Sequence, residues 1–128
     1  MKALSIEPYY AMQIFAKTKD IEVRTWKTDY RGDLLICSTN VREVNTIPGH
    51  ALCVATLSDI VPLERKHLKR AMLPGNFDTS GKYAWILTDL RYIVPFAVKG
   101  RLSLWECDHE IEFVDEDCPI DYWDALFV

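Results

Sequence analysis

Residues 20–26 constrain this chain most. Ile21, Val23 and Thr25 alternate with Glu22, Arg24 and Trp26, the period-two pattern of a strand with one apolar and one polar wall. Strand side chains point to opposite faces in turn. Ile21, Val23 and Thr25 can therefore face a core, and Glu22, Arg24 and Trp26 share the other side. An acid, a guanidinium and an indole on one wall can accept from a base amine, clamp a phosphate or carboxylate, and stack on a ring. The same pattern also describes a solvated strand face carrying an ion pair. The following residues, Lys27 to Arg31, add two cations and Tyr30 before Gly32.

Further strand-like runs lie on both sides. Residues 2–6 read as a short strand. Pro8 suits a first helical turn, and Tyr9 to Lys17 fit a short helix with Lys17 and Lys19 near its C-terminal dipole. Residues 30–33 form a turn, residues 34–39 a buried strand and residues 47–50 a loop. Ala51 to Ile60 is a long strand. Residues 63–73 pattern as a basic amphipathic helix, with Leu63, His67, Leu68, Ala71 and Met72 on one stripe and Arg65, Lys66, Lys69 and Arg70 mostly opposite. Pro74-Gly75-Asn76 ends it. Tyr83 to Val94 reads as one long strand, or two split at Thr88-Asp89. Val98 to Trp105 reads as another, with a bulge at Gly100. Residues 110–114 alternate weakly as a last strand, and residues 121–127 suit a terminal helical turn.

No βαβ rhythm dominates. The fold class expected is mixed α/β, mainly β: a small, strongly bent sheet closed into a barrel, with short helices inserted, because closure removes exposed edges. At 128 residues the chain suits one domain. Its division is a barrel over residues 1–106 and an acidic extension over residues 107–128 that packs on, or trails from, the same domain.

Charge is unevenly spread. All 15 Lys and Arg lie within residues 1–101, while residues 102–128 hold 9 of the 19 Asp and Glu. A modestly basic body is compatible with nucleic acid. The acidic tail keeps the chain soluble, or lies over a basic cleft and competes with a polyanion. No apolar run reaches membrane-span length, and the N-terminus does not pattern as a signal peptide. A cytoplasmic location without membrane association is the expectation. Cys37, Cys53, Cys107 and Cys118 form no C-x-x-C pair and read as reduced thiols. Cys107, His109 and Cys118 match no common zinc spacing, so neither a metal nor a cofactor is called for.

Residues 17–24, Lys-Thr-Lys-Asp-Ile-Glu-Val-Arg, resemble the G-x-K-x-x-E-x-R pattern of the ASCH domain family, named after activating signal cointegrator-1 homology. Lys19, Glu22 and Arg24 match it, and Lys17 replaces the leading glycine. Residues 1–8, 24–36, 83–87, 95–100 and 104–106 are also similar to small bacterial members, so the resemblance spans roughly residues 1–106. It implies a PUA-like β-barrel, a cleft between the first helix and the barrel lined by the motif, and an RNA-related role. It also implies two enzymatic alternatives. Some small members remove the acetyl group from N4-acetylcytidine, and a few have been proposed to cleave RNA.

For amide hydrolysis, Lys19 and Glu22 are the candidate catalytic residues. The threonine that relatives place three residues after the lysine is Glu22 here. Thr25 is expected to face away from Glu22, and Thr18 lies in the preceding turn. A ribonuclease would recruit Tyr30, Lys19, Ser38 and His50. The reading adopted is a binding module for RNA or a modified nucleobase. Lys19 and Arg24 contact phosphate or a carbonyl oxygen, Glu22 accepts from an exocyclic amine, and Trp26, Tyr83 or Trp85 supplies a stacking face. Of these, Trp85 patterns as core. Lys27, Arg31 and the cations of residues 65–70 extend a phosphate track, and Ser38 points a hydroxyl into the cleft or begins a turn. A protein partner could dock on the acidic tail through Tyr122-Trp123.

Overall fold

The structure is a computed structural model, and it describes residues 1–114. Six strands form one curled sheet: β1 (Lys2–Ile6), β2 (Ile21–Arg24), β3 (Gly32–Ser38), β4 (His50–Pro62), β5 (Tyr83–Ala97) and β6 (Leu104–Glu106). Their order across the sheet is β2-β5-β4-β3-β1-β6. Only β1 and β3 run parallel, with Ala3 opposite Leu35; all other neighbours are antiparallel. The expected closure is not made by the ladder. β2 and β6 are the two edges, so the sheet is a half-barrel with a seam.

β3 is apolar at consecutive positions because both of its faces are covered. Leu34 and Ile36 join the main core with Leu4, Ile6, Leu52 and Trp85. Leu35 and Cys37 join a second cluster with Ala3, Val54 and Cys107. The helix α1 (Pro8–Phe15) fills the concave side, placing Ala11, Ile14 and Phe15 in the main core. The Tyr92 hydroxyl donates to the Phe15 carbonyl at 2.8 Å, tying the helix end to β5. Register shifts along β4 and β5 bend the long hairpin, as bulges do.

Three local expectations are corrected. Residues 63–73 are not an α-helix; they form one 3-10 turn at Arg65–His67 followed by further turns. The reason is tertiary. The Arg70 carbonyl accepts from the Asp20 and Ile21 amides at 3.1 and 3.3 Å, and the Ala71 carbonyl accepts from Lys19. These bonds tie the segment to β2 and its approach, and Met72 takes a left-handed φ of 60° that no α-helix admits, so the chain runs as turns up to Pro74. Residues 98–103 are a loop, and only Leu104–Glu106 is strand. Residues 110–114 contribute an isolated bridge between Ile93 and Phe113, not a full strand. The helical turn expected at residues 121–127, Cys118 and Tyr122-Trp123 lie outside the described residues. No helix among those described is long and apolar enough to cross a membrane.

Candidate functional site

The seam of the half-barrel holds a cavity of about 1060 Å³. Its walls come from the end of β1, Tyr10 of α1, the residues 19–25, the β3–β4 connection at both its ends, and the loop after β5. Lys19, Glu22 and Arg24 all line it.

Each motif residue is placed by local chemistry. α1 ends at Ala16, and Lys17 follows with a φ of 65°, a left-handed position. Glycine is favoured there, which gives the family's leading glycine a structural meaning. The turn directs the Thr18 and Lys19 amides back to the Gln13 carbonyl at 3.0 and 3.1 Å. The Thr18 hydroxyl also bonds Gln13, by its carbonyl and its side chain. Thr18 is thereby committed to the helix end and does not line the cavity.

Lys19 is 3 % exposed and Glu22 6 %. The polar wall of β2 is therefore buried, not solvated. Lys19 Nζ donates to the carbonyls of Ile21 and Ala71 at 2.7 and 2.9 Å and lies 3.2 Å from Glu22 Oε1. An ammonium has three donors, and these three acceptors use all of them. Its charge also sits over the Tyr10 ring, 4.9 Å from the centroid. Burial pulls the Lys19 pKa below the ordinary lysine value, and Glu22 opposes that shift. Burial likewise pushes the Tyr10 phenol up, with Glu7 adding to it.

The other carboxylate oxygen, Glu22 Oε2, lies 2.8 Å from an Arg24 terminal nitrogen, Nη2. That nitrogen also donates to the Ser5 carbonyl at 3.0 Å, bridging β2 to β1 across the seam. Arg24 Nε is buried and has no hydrogen-bond partner; Thr39 Oγ1 is in the same condition. Both residues line the cavity. Buried polar atoms left without partners are rare and call for an explanation.

Ser38 lines the cavity too, but its hydroxyl is occupied. It donates to the Ile47 carbonyl, with that of His50 3.3 Å away, and accepts from the His50 amide at 3.1 Å. His50 Nδ1 lies 2.8 Å from the Pro48 carbonyl, so in the neutral ring the proton belongs on Nδ1 and the lone pair on Nε2.

The remaining sequence candidates lie outside the lining. Trp26 packs edge-to-face on Trp85, with centroids 4.8 Å apart, and its carbonyl accepts from the Trp85 indole at 3.2 Å. Trp85 is core, as its pattern indicates. Tyr83 packs on the main core with Lys27 above its ring at 5.5 Å. Arg31 donates to the carbonyls of Thr28 and Tyr30 and pairs with Asp59. The Tyr30 hydroxyl donates to the Asp33 carbonyl. Arg70 pairs with Asp20 and Lys66 with Glu64.

Sequence reasoning missed other lining residues. Tyr10 and Phe77 supply the aromatic rings. Tyr10 of α1 packs partly against the main core, and Phe77, after Pro74-Gly75-Asn76, packs against the cluster of Ile21, Leu63 and Ala84. Lys82, Lys99 and Arg101 supply cations. Thr25 also lines the cavity, as does Val23 within β2, contrary to the orientation expected of that face. Among the described residues no cluster of His, Cys, Asp and Glu could hold a metal ion.

The fold is a small, mainly β, PUA-like half-barrel with a cavity in its seam. The model of the ASCH domain matches residues 4–113, and the chain belongs to the ASCH domain family. Among solved structures it is similar to the ASCH protein of Zymomonas mobilis, with 19 % identity and a TM-score of 0.63, covering 99 % of this chain and 95 % of that one. Two point variants of that protein give 17 % identity and a TM-score of 0.63, covering 99 % and 98 %, and 16 % and 0.64, covering 97 % and 94 %. At these identities the likeness shows the fold. Comparison with curated proteins finds no match.

Proposed function

We propose that this domain binds RNA by receiving an unpaired or modified nucleobase in the seam cavity. The observation that carries the reading is Arg24. Glu22 and the Ser5 carbonyl hold its guanidinium at the cavity wall through Nη2, and about 24 % of the side chain stays exposed. Such a donor, fixed in advance, suits a carbonyl or ring-nitrogen acceptor on a base. Tyr10 and Phe77 provide rings of the kind on which unpaired bases stack. Five Lys and Arg against two carboxylates in the lining favour a polyanion.

Glu22 has a different role here from the amine acceptor the sequence suggests. Both of its oxygens are engaged by cations, so it positions Lys19 and Arg24. Calorimetric titration with single-stranded RNA and with N4-acetylcytidine tests the reading. Arg24→Gln keeps a polar side chain and is expected to weaken binding at least tenfold. Undiminished binding by a folded Arg24→Gln variant would refute it.

Two observations favour a second reading, hydrolysis of an N4-acetylcytidine-type amide. The Thr25 residue lines the cavity beside Arg24, and the burial-lowered pKa of Lys19 brings a neutral amine closer to neutral pH. Mass spectrometry of N4-acetylcytidine after incubation tests it. Release of cytidine by wild type but not by Thr25→Ala would support hydrolysis, and no release at enzyme concentrations comparable to substrate would dismiss it. The ribonuclease alternative keeps Lys19 and His50 in the cavity, while Tyr30 lies outside it and the Ser38 hydroxyl is spent on backbone.

A further inference from the structure

Lys99 and Arg101 flank Gly100 on the loop after β5, and both line the cavity. Both are exposed, and neither makes an ion pair among the described residues. The other cations near the seam each have an ion pair, a hydrogen bond or a ring beneath them. Lys19 and Arg24 share Glu22. Lys82 donates to the Asp78 carbonyl at 3.0 Å and lies over the Phe77 ring. Glu106 and Asp108 stand nearby, across a smaller hollow that Lys99 and Arg101 also line. Glu106 is held by the Met1 ammonium and Lys2, and Asp108 is in no ion pair among the described residues.

Ser5 fixes where these cations stand relative to Arg24. Its carbonyl accepts from Arg24 at 3.0 Å. Its hydroxyl accepts from the Trp105 indole at 3.1 Å. A Cβ built on Gly100 would come within 2.6 Å of that hydroxyl oxygen. The loop thus packs closely on the residue that Arg24 grips, and a Cβ at position 100 would force the Ser5 hydroxyl to shift. A single serine separates the guanidinium from Gly100, between Lys99 and Arg101.

We infer that Lys99 and Arg101 form a phosphate subsite, so that the cavity takes a nucleoside monophosphate unit, free or within a single strand, and not a bare nucleoside. The base lies against Arg24 and its phosphate against the 98–103 loop. The inference rests on the nucleobase reading above and adds to it a site that the basic stretch of residues 65–70 had seemed to supply. Those side chains lie outside the cavity lining. Two unpaired cations side by side suit the charge and acceptor oxygens of phosphate, and Arg adds a bidentate donor pair.

The test is calorimetric titration of the whole chain with the four ribonucleosides, their 5′- and 3′-monophosphates, inorganic phosphate, and a short single-stranded RNA. At least one monophosphate is expected to bind tenfold or more tighter than its nucleoside at low salt. The double variant Lys99→Gln, Arg101→Gln, with its fold checked by thermal melting, is expected to bring that monophosphate to the nucleoside's affinity and leave the nucleoside unchanged. Tight free monophosphate identifies the free nucleotide as source, and RNA binding far tighter than any monophosphate identifies the strand; either supports the subsite if the double variant removes the phosphate contribution. Equal binding of nucleoside and monophosphate, or equal loss for both in the double variant, overturns the subsite alone. No binding by any of these ligands overturns both the subsite and the nucleobase reading.

Discussion

Replacing Glu22 by Gln removes the one anion between buried Lys19 and partly buried Arg24. Lys19, 3 % exposed, then keeps two carbonyl acceptors and an amide oxygen but no counter-charge. Breaking a buried ion pair from one side costs about 3–5 kcal/mol. The retained acceptors place this variant at the lower end, about 3 kcal/mol, or a fall of roughly 10–15 °C in Tm for a domain of this size. The pH dependence carries the sharper test. In the folded wild type the Lys19 pKa is lowered by burial and partly restored by Glu22. Between that lowered value and the unfolded lysine value the unfolded chain binds more protons, so stability rises with pH. Without Glu22 the folded pKa falls further, and the window extends to lower pH. The deficit of Glu22→Gln is therefore largest near pH 6 and shrinks as pH rises toward about 10, the ordinary lysine range. Urea unfolding followed by tryptophan fluorescence at several pH values measures it. Adding Lys19→Met to the variant is expected to recover part of the loss. A deficit under about 1 kcal/mol, or one flat from pH 6 to 10, would refute the buried-charge argument.

Other perturbations follow from single contacts. Lys17→Gly relieves a left-handed residue at φ 65° and is expected to stabilise the chain by about 1 kcal/mol in urea melts; a loss of stability would contradict the turn. Gly100→Ala drives a methyl to 2.6 Å from the Ser5 hydroxyl oxygen. Turning that hydroxyl aside breaks its bond from Trp105, so a cost of about 1 kcal/mol is expected, and combining it with Ser5→Ala removes the clash and most of the difference. Ser38→Ala leaves the Ile47 carbonyl and the His50 amide without their hydroxyl partner, for a loss of about 1–3 kcal/mol. Unchanged stability would mean that the hydroxyl is free for chemistry.

The parts of the fold legible in the sequence were those written in periodicity and local turn chemistry. Pro8 opened α1, the apolar run of β3 marked a strand covered on both faces, and Trp85 patterned as core. Residues 63–73 misled because their stripe is genuine. Leu63, Leu68 and Ala71 do pack together, with Ile21 and Ala84. What a stripe does not record is that the Arg70 and Ala71 carbonyls are claimed by β2 and Lys19. The motif gave Lys19, Glu22 and Arg24, and the structure brings them together, but alternation cannot say whether a polar wall meets water. Here the seam, Tyr10 and the residue 70–71 turn cover it. Trp26 was placed with Arg24 by counting in twos past the end of β2. Lys99 and Arg101 belong to the site only because the chain returns through a loop where a strand had been expected.

The most direct test of the nucleobase-binding account is backbone amide chemical-shift mapping during titration with single-stranded RNA. The account predicts that the shifts cluster in residues 19–25, 38–40 and 98–103, around the seam. Shifts confined to the exposed basic residues 65–70, with the seam unmoved, would contradict it.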